Sequence, residues 1–236
     1  MTDLDEVRIQ RAYYTKTASQ YEAMHVEARD EHGFALGFMV SMFDYLEIKS
    51  VLDIGCGTGR ALRYVKSVRP DIRVVGVEPV KELRDVGHTL GLSLQELVEG
   101  DATALRYEAS AFDLVCEFGV LHHIRQPERA VHEMLRVAKK AVFISDSNNF
   151  GQGSALLRAF KQTVNALGLW KAVDFVKTRG KGYSISEGDG LAYSYSVYNN
   201  YGQIKRQCQT IHVVNTRDGS INPYRTASHV ALLGVK

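Results

Sequence analysis

Three cysteines in 236 residues, Cys56, Cys116 and Cys208, are too few and too scattered for a disulfide framework, and no CxxC pair offers a zinc knuckle. No stretch approaches the roughly 18 apolar residues that span a bilayer. The opening MTDLDEVRIQ is charged from its first residues and lacks the apolar run of a secretory leader. No block of like charge stands out. The 29 Lys and Arg nearly balance the 27 Asp and Glu, a net charge of +2 that gives no electrostatic footprint for nucleic acid. Bulk charge leaves room for a small RNA site. There is no internal repeat and no low-complexity linker. These absences point to a soluble cytoplasmic protein with reduced thiols and no membrane partner. What is present, 45% hydrophobic and 24% charged residues, is ordinary globular composition able to bury the core of one large domain.

The apolar patterning alternates between two periods. Leu4, Val7, Ile9, Tyr13, Tyr14, Tyr21 and Met24 keep helical spacing over 4–24, and 33–46 reads as a second apolar helix. Short apolar runs at 51–54, 73–78, 94–101, 112–118 and 141–145 read as buried strands, with helices at 59–68, 80–90 and 127–138 between them. That alternation predicts an α/β, doubly wound, mostly parallel seven-stranded sheet. The sixth and seventh strands are 209–216 and 228–236. The short turn between them, with Asp-Gly and Asn-Pro signals, forces the last strand antiparallel. Residues 1–46 form an amino-terminal helical cover. Residues 147–207 are too many for one crossover, so they predict a lid, or substrate-binding region, over the carboxyl ends of the strands.

The densest signal is Val51-Leu52-Asp53-Ile54-Gly55-Cys56-Gly57-Thr58-Gly59. Its glycines let a ligand approach the backbone after the first strand. The pattern is GxGxG, not GxGxxG, and Asp53 would repel a pyrophosphate while suiting an ammonium group. This nonapeptide resembles motif I of the class I S-adenosylmethionine-dependent methyltransferases. The resemblance implies that fold, S-adenosylmethionine as methyl donor and a small-molecule acceptor. It implies a donor site of Asp53, Gly55, Cys56, Gly57 and Gly59 with Glu78 and Pro79 at the second strand end. Glu78 would accept from the ribose hydroxyls. Asp101 and Ala102 would flank the adenine, Glu117 and Phe118 would lie under the methionine, and Tyr14 and Tyr21 would reach over from the cover. Asp101 also reads as a helix N-cap.

Leu121-His122-His123-Ile124 resembles the loop after strand four in small-molecule members of that family. His122 is the first candidate for a general base, with His123 next and Asp146 to orient the imidazole. The expected alternation would turn His123 away. This pattern tilts the reading toward O-methylation of a sugar or natural-product hydroxyl, with N- or C-methylation as alternatives. A nicotinamide or nucleotide enzyme, an RNA or protein methyltransferase and a non-catalytic cofactor-binding protein are the other readings. EFGV in place of an Asn/Asp-Pro-Pro-aromatic tetrad disfavours base methylation. No metal site is expected; Glu117, Asp146, Asn148 and Asn149 are the loose alternative set for magnesium. In the lid, Tyr193 and Tyr195 are expected to share a strand face, with Glu187 and Asp189 as acidic lining. The oligomeric state is left open.

Overall fold

A computed structural model describes residues 3–27, 29–217 and 222–236. Seven strands form the main sheet: β1 Ser50–Ile54, β2 Arg73–Val77, β3 Leu97–Val98, β4 Phe112–Phe118, β5 Ala138–Ser147, β8 Thr210–Asn215 and β9 His229–Val235. Their order is β3-β2-β1-β4-β5-β9-β8, and a separate hairpin joins β6 Tyr183–Ser186 to β7 Gly190–Tyr193. The first five strands run parallel, while β9 is antiparallel to both β5 and β8. The chain winds outward from β1 to β3, then restarts at β4 beside β1. That reversal opens a crevice at the carboxyl ends of β1 and β4, where a doubly wound sheet binds its ligands.

The central strands are buried on both faces, which is why they read as unbroken apolar runs. On one face α3 Glu31–Ser41 and α4 Arg60–Val68 bring Leu36, Met39, Leu62 and Val65 against the sheet. On the other, α6 Pro127–Val137 brings Ala130, Val131, Met134 and Leu135. Pro127 opens α6 at a position where its missing N–H costs nothing. The Asp30 carboxylate caps α3 by accepting from the Gly33 N–H at 2.7 Å. All three cysteines are free and buried.

Several expected boundaries shift. The first helix is not continuous to 24: α1 is Asp3–Thr17, a 3-10 turn covers Ala18–Gln20, and α2 is Tyr21–His25. β3 keeps two residues of the expected eight, because only Leu97 and Val98 pair with Gly76 and Val77. β5 extends beyond 141–145 at both ends, Ala138 pairing with Phe112 of β4 at its start and β9 pairing as far as Ser147 at its end.

The interval 147–207 divides in two. Residues 155–193 carry α7 Ala155–Ala166, α8 Trp170–Lys177 and the β6–β7 hairpin. The remainder, a 3-10 turn at Val197–Asn200 and α9 Tyr201–Lys205, buries Val197 and Ile204 in the core and serves as the crossover into β8. Tyr193 and Tyr195 do not share a strand face. β7 ends at Tyr193, whose hydroxyl donates to Glu6 at 2.6 Å, and the chain then dives so that buried Tyr195 donates to Asn200 at 2.9 Å. The Asp-Gly pair of the last turn lies outside the described residues. The Asn222 carboxamide accepts from the Tyr224 and Arg225 N–H groups, and Arg225 itself is exposed away from the crevice.

Candidate active site

The crevice holds two adjoining cavities, of about 690 Å³ and about 530 Å³, that share Tyr14, Tyr21, Gly55, Phe118 and Gly119 in their walls. The smaller lies toward β2 and adds Gly57, Glu78, Pro79, Asp101, Ala102 and His123. The larger lies toward β5 and the hairpin, and adds Asp53, Cys56, His122, Asp146 and Asp189. Two of the expected donor-site residues are not in either wall. Gly59 sits under Leu92 at the start of α4, and Glu117 is wholly buried beneath the loop it precedes.

On the β1–β2 side the backbone shapes the cavity. Gly55 and Gly57 have φ of 64° and 56°, values that favour glycine. A methyl group on Gly57 would lie 2.7 Å from the Tyr21 hydroxyl, so this close approach leaves no room for a side chain. The Glu78 carboxylate accepts from the Gly57 N–H at 3.0 Å and from the Val80 N–H at 2.9 Å. Burial pushes Glu78 up to about 7 against the pull of those two donors. Asp53 is also buried and is pushed up to about 8 by burial. The Asp101 carboxylate is exposed, accepts from the Thr103 N–H at 2.8 Å and pairs with Arg11 at 3.3 Å. No helix follows it: residues 102–110 are turns and bends, so Asp101 closes a turn and does not serve as the expected helix N-cap, and it lines the smaller cavity beside Ala102.

On the β4–β5 side, side chains from distant segments converge. The 3-10 turn Leu121–His123 follows β4. His122 Nδ1 donates to Asp146 Oδ1 at 2.7 Å, and the His122 backbone N–H donates to Asp146 Oδ2 at 3.2 Å. Its Nε2 faces Asp189 Oδ2, at the hairpin tip, at 3.2 Å. Burial opposes charge on His122, but Asp146 and Asp189 outweigh it and raise this imidazole well above its ordinary range. Burial alone would push Asp146 up; the His122 imidazole instead holds it down to about 2. A buried imidazolium between two carboxylates results.

His123 does not turn away as alternation would have it. Residues of a 3-10 helix are about 120° apart, not 180°, so neighbours can share a site. The two rings lie 4.0 Å apart between centroids. His123 Nδ1 donates to the Leu191 carbonyl at 2.7 Å, so its Nε2 is free to accept from the Tyr14 hydroxyl at 3.0 Å. Burial, then the His122 charge, lower its pKa and keep it neutral. Gln10 completes the link, its Oε1 accepting from the Leu191 N–H at 2.5 Å and its amide donating to the Asp189 carbonyl at 3.2 Å. Three further histidines, His25, His32 and His229, line the larger cavity, and burial lowers the pKa of each, that of His229 to about 3.

Asp189 is the residue that sequence reasoning undervalued: it counted as generic acidic lining, and nothing local marks it as a partner of residues 66 or 67 positions earlier. The loose magnesium set does not converge. Asn148 is spent on the Ser196 hydroxyl and three carbonyls of the 223–227 turn, and Asn149 donates to Ser194. Among the described residues one group could surround a cation, His122, His123 and Asp189, but it offers two nitrogens, where magnesium takes oxygens.

Residues 52–144 match the family model of a methyltransferase domain. The sheet order and the crevice agree with that match. Residues 52–144, about two fifths of the chain, carry a methyltransferase domain. Ajmaline N-methyltransferase of Rauvolfia serpentina is 32% identical over 101 residues, 41% of this chain and 34% of that protein. An uncharacterized methyltransferase of Bacillus subtilis is 29% identical over 133 residues, 54% of this chain and 50% of that protein. The chain thus spans a third to a half of the length of these relatives. The chain shares its fold with solved structures across nearly its whole length. Magnesium protoporphyrin IX methyltransferase of Synechocystis, solved with S-adenosylhomocysteine, superposes with a TM-score of 0.64 at 14% identity, covering 98% of this chain and 99% of that one. A Thermotoga maritima S-adenosylmethionine-dependent methyltransferase gives 0.58 at 18%, covering 95% and 99%.

Proposed function

We propose that this protein transfers a methyl group from S-adenosylmethionine to a small molecule, with a hydroxyl as acceptor and His122 as the base. The observation that carries the reading is the His122–Asp146 pair at 2.7 Å in a cavity that adjoins the glycine-lined one. The residues present fit the donor. The smaller cavity combines buried Glu78, exposed Asp101 and apolar walls, a set suited to ribose hydroxyls, an exocyclic amine and a purine face. Asp53, lining the larger cavity behind Gly55, suits an ammonium group.

Bound S-adenosylmethionine supplies an electrophilic methyl group. The chain then has three tasks: to align the acceptor, to exclude water and to take one proton. Tyr14, Tyr21 and the hairpin close the site from above. Asp146 fixes His122 with Nδ1–H inward and directs Nε2 to the cavity. The acceptor hydroxyl takes the place held here by the Asp189 carboxylate, and His122 Nε2, once neutral, accepts its proton. Protonated His122 between Asp146 and Asp189 is the resting state to which the cycle returns.

An amine acceptor is the second reading. Two Rauvolfia serpentina relatives, at 32% and 34% identity, carry N-methyltransferase names. Thermal unfolding with excess S-adenosylhomocysteine or NAD tests the donor. A ligand at 100 times its dissociation constant stabilises by about 2.7 kcal/mol. A shift with the first and none with NAD supports the reading; the reverse defeats it. Methylated products from hydroxyl and amine libraries, told apart by fragmentation, then separate the two acceptors.

A further inference from the structure

The α7–α8 arm reverses the usual amphipathic order. A surface helix normally turns apolar residues inward and polar ones out. In α7 the one buried side chain is Lys161, which anchors the helix on the Asn149 carbonyl and side-chain oxygen, and Gln162 donates to the Phe150 and Arg225 carbonyls. Leu156, Phe160 and Leu167, one stripe at helical spacing, face outward, Leu156 being 85% exposed. In α8 no residue is buried; Phe175 and Val176 are bare, Val176 at 76%. Elsewhere large exposed apolar residues fall at most two to a helix, as Tyr64 and Val68 do in α4. A cluster of this kind marks an interaction surface.

Charge selects the partner. Residues 152–182 hold six Lys and Arg and one acid, Asp174, a net +5; with the whole chain at +2, the remainder is −3. Lys171, Lys177, Arg179 and Lys181 are exposed, and none forms an ion pair among the described residues. Bare leucine and phenylalanine flanked by lysines are the composition of helices that lie in a bilayer interface over anionic headgroups. The arm also borders the larger cavity, which Asp174, Lys177 and Thr178 help to line.

We propose that α7 and α8 dock this protein onto an anionic lipid bilayer, apolar stripe in the interface and lysines on the headgroups, with the larger cavity opening beside the membrane. The expectation of no membrane partner rested on the lack of a spanning segment and a leader, neither of which bears on interfacial docking. The arm's role does not depend on which acceptor is methylated.

The test is co-sedimentation of the full chain with vesicles of phosphatidylcholine alone and of phosphatidylcholine with one third phosphatidylglycerol. Wild type should pellet with the anionic vesicles, less so as salt screens the charges. Lys171→Ala with Lys181→Ala should weaken partitioning roughly 25-fold, since each basic residue near such a surface is worth ~1 kcal/mol. Leu156→Asp with Val176→Asp should abolish it while leaving the unfolding temperature unchanged, both positions being exposed. The proposal is overturned if wild type stays in solution, if neutral vesicles bind equally, or if both double variants pellet like wild type. It is also overturned if sedimentation shows a dimer that Leu156→Asp with Val176→Asp dissolves, since a second copy then covers the stripe.

Discussion

The two sides of the crevice are built by different means. Along β1 and β2 the walls are backbone: glycines at positive φ, and a Glu78 carboxylate satisfied by two main-chain N–H groups, those of Gly57 on the glycine turn and of Val80 two residues on. Along β4 and β5 the walls are side chains, and the contacts join α1, the LHH turn, β5 and the hairpin across 24 to 181 positions. A constant ligand can be held by fixed backbone near one turn. A variable one needs side chains from separate elements, each free to change. On the proposed function this difference separates a donor half from an acceptor half, and substitutions should respect that line.

His122→Ala should lower kcat by about 10²–10⁴-fold, the usual worth of a general base, with S-adenosylhomocysteine affinity nearly unchanged. Loss of that affinity would erase the division. Glu78→Ala should do the opposite, weakening S-adenosylhomocysteine by roughly 10–100-fold, as expected for lost hydrogen bonds to a carboxylate. Calorimetry on both variants checks the pair.

A smaller effect concerns pH. The proposed base must be neutral, so kcat/KM, which reports the free enzyme, should rise with pH as His122 loses its proton. Asp189 helps hold that proton, so Asp189→Asn should move the rising limb to lower pH. The same tie bears on stability. The His122 contribution is full below its unfolded value near 6.5 and is lost as pH rises through the raised folded value. The Asp189 contribution is present above the ordinary carboxylate value near 3.9 and is lost as pH falls through its lowered folded value. Asp189→Asn should therefore cost most between those limits, as read by denaturant unfolding across pH. The smallest expected effect is that of a chelator, which should leave turnover unchanged; abolition would assign the His122, His123 and Asp189 group to a metal.

How much the sequence disclosed follows the same division. Val51–Gly59, Glu78 and the strand runs announce themselves because each belongs to a contiguous motif or to a strand buried on both sides. Asp189 and Gln10 do not, because each matters only through a partner that the fold brings near. His123 was misjudged for a narrower reason: strand-like alternation was extended past Phe118 into a turn of three residues per repeat. The outward face of α7 looks in sequence like any amphipathic helix, since periodicity shows that a face exists but not which way it points.

One feature of the hairpin reaches into the kinetics. Gln10, Tyr13 and Glu6 of α1 bond the Leu191 amide, the Glu187 carbonyl and the Tyr193 hydroxyl, so helix and hairpin are fastened to each other as well as to the crevice. Tyr14 on that helix walls both cavities. The two cavities therefore share one door. On the proposed function, exit of the demethylated donor and exit of the methylated product become a common event, and a single opening rate should limit both.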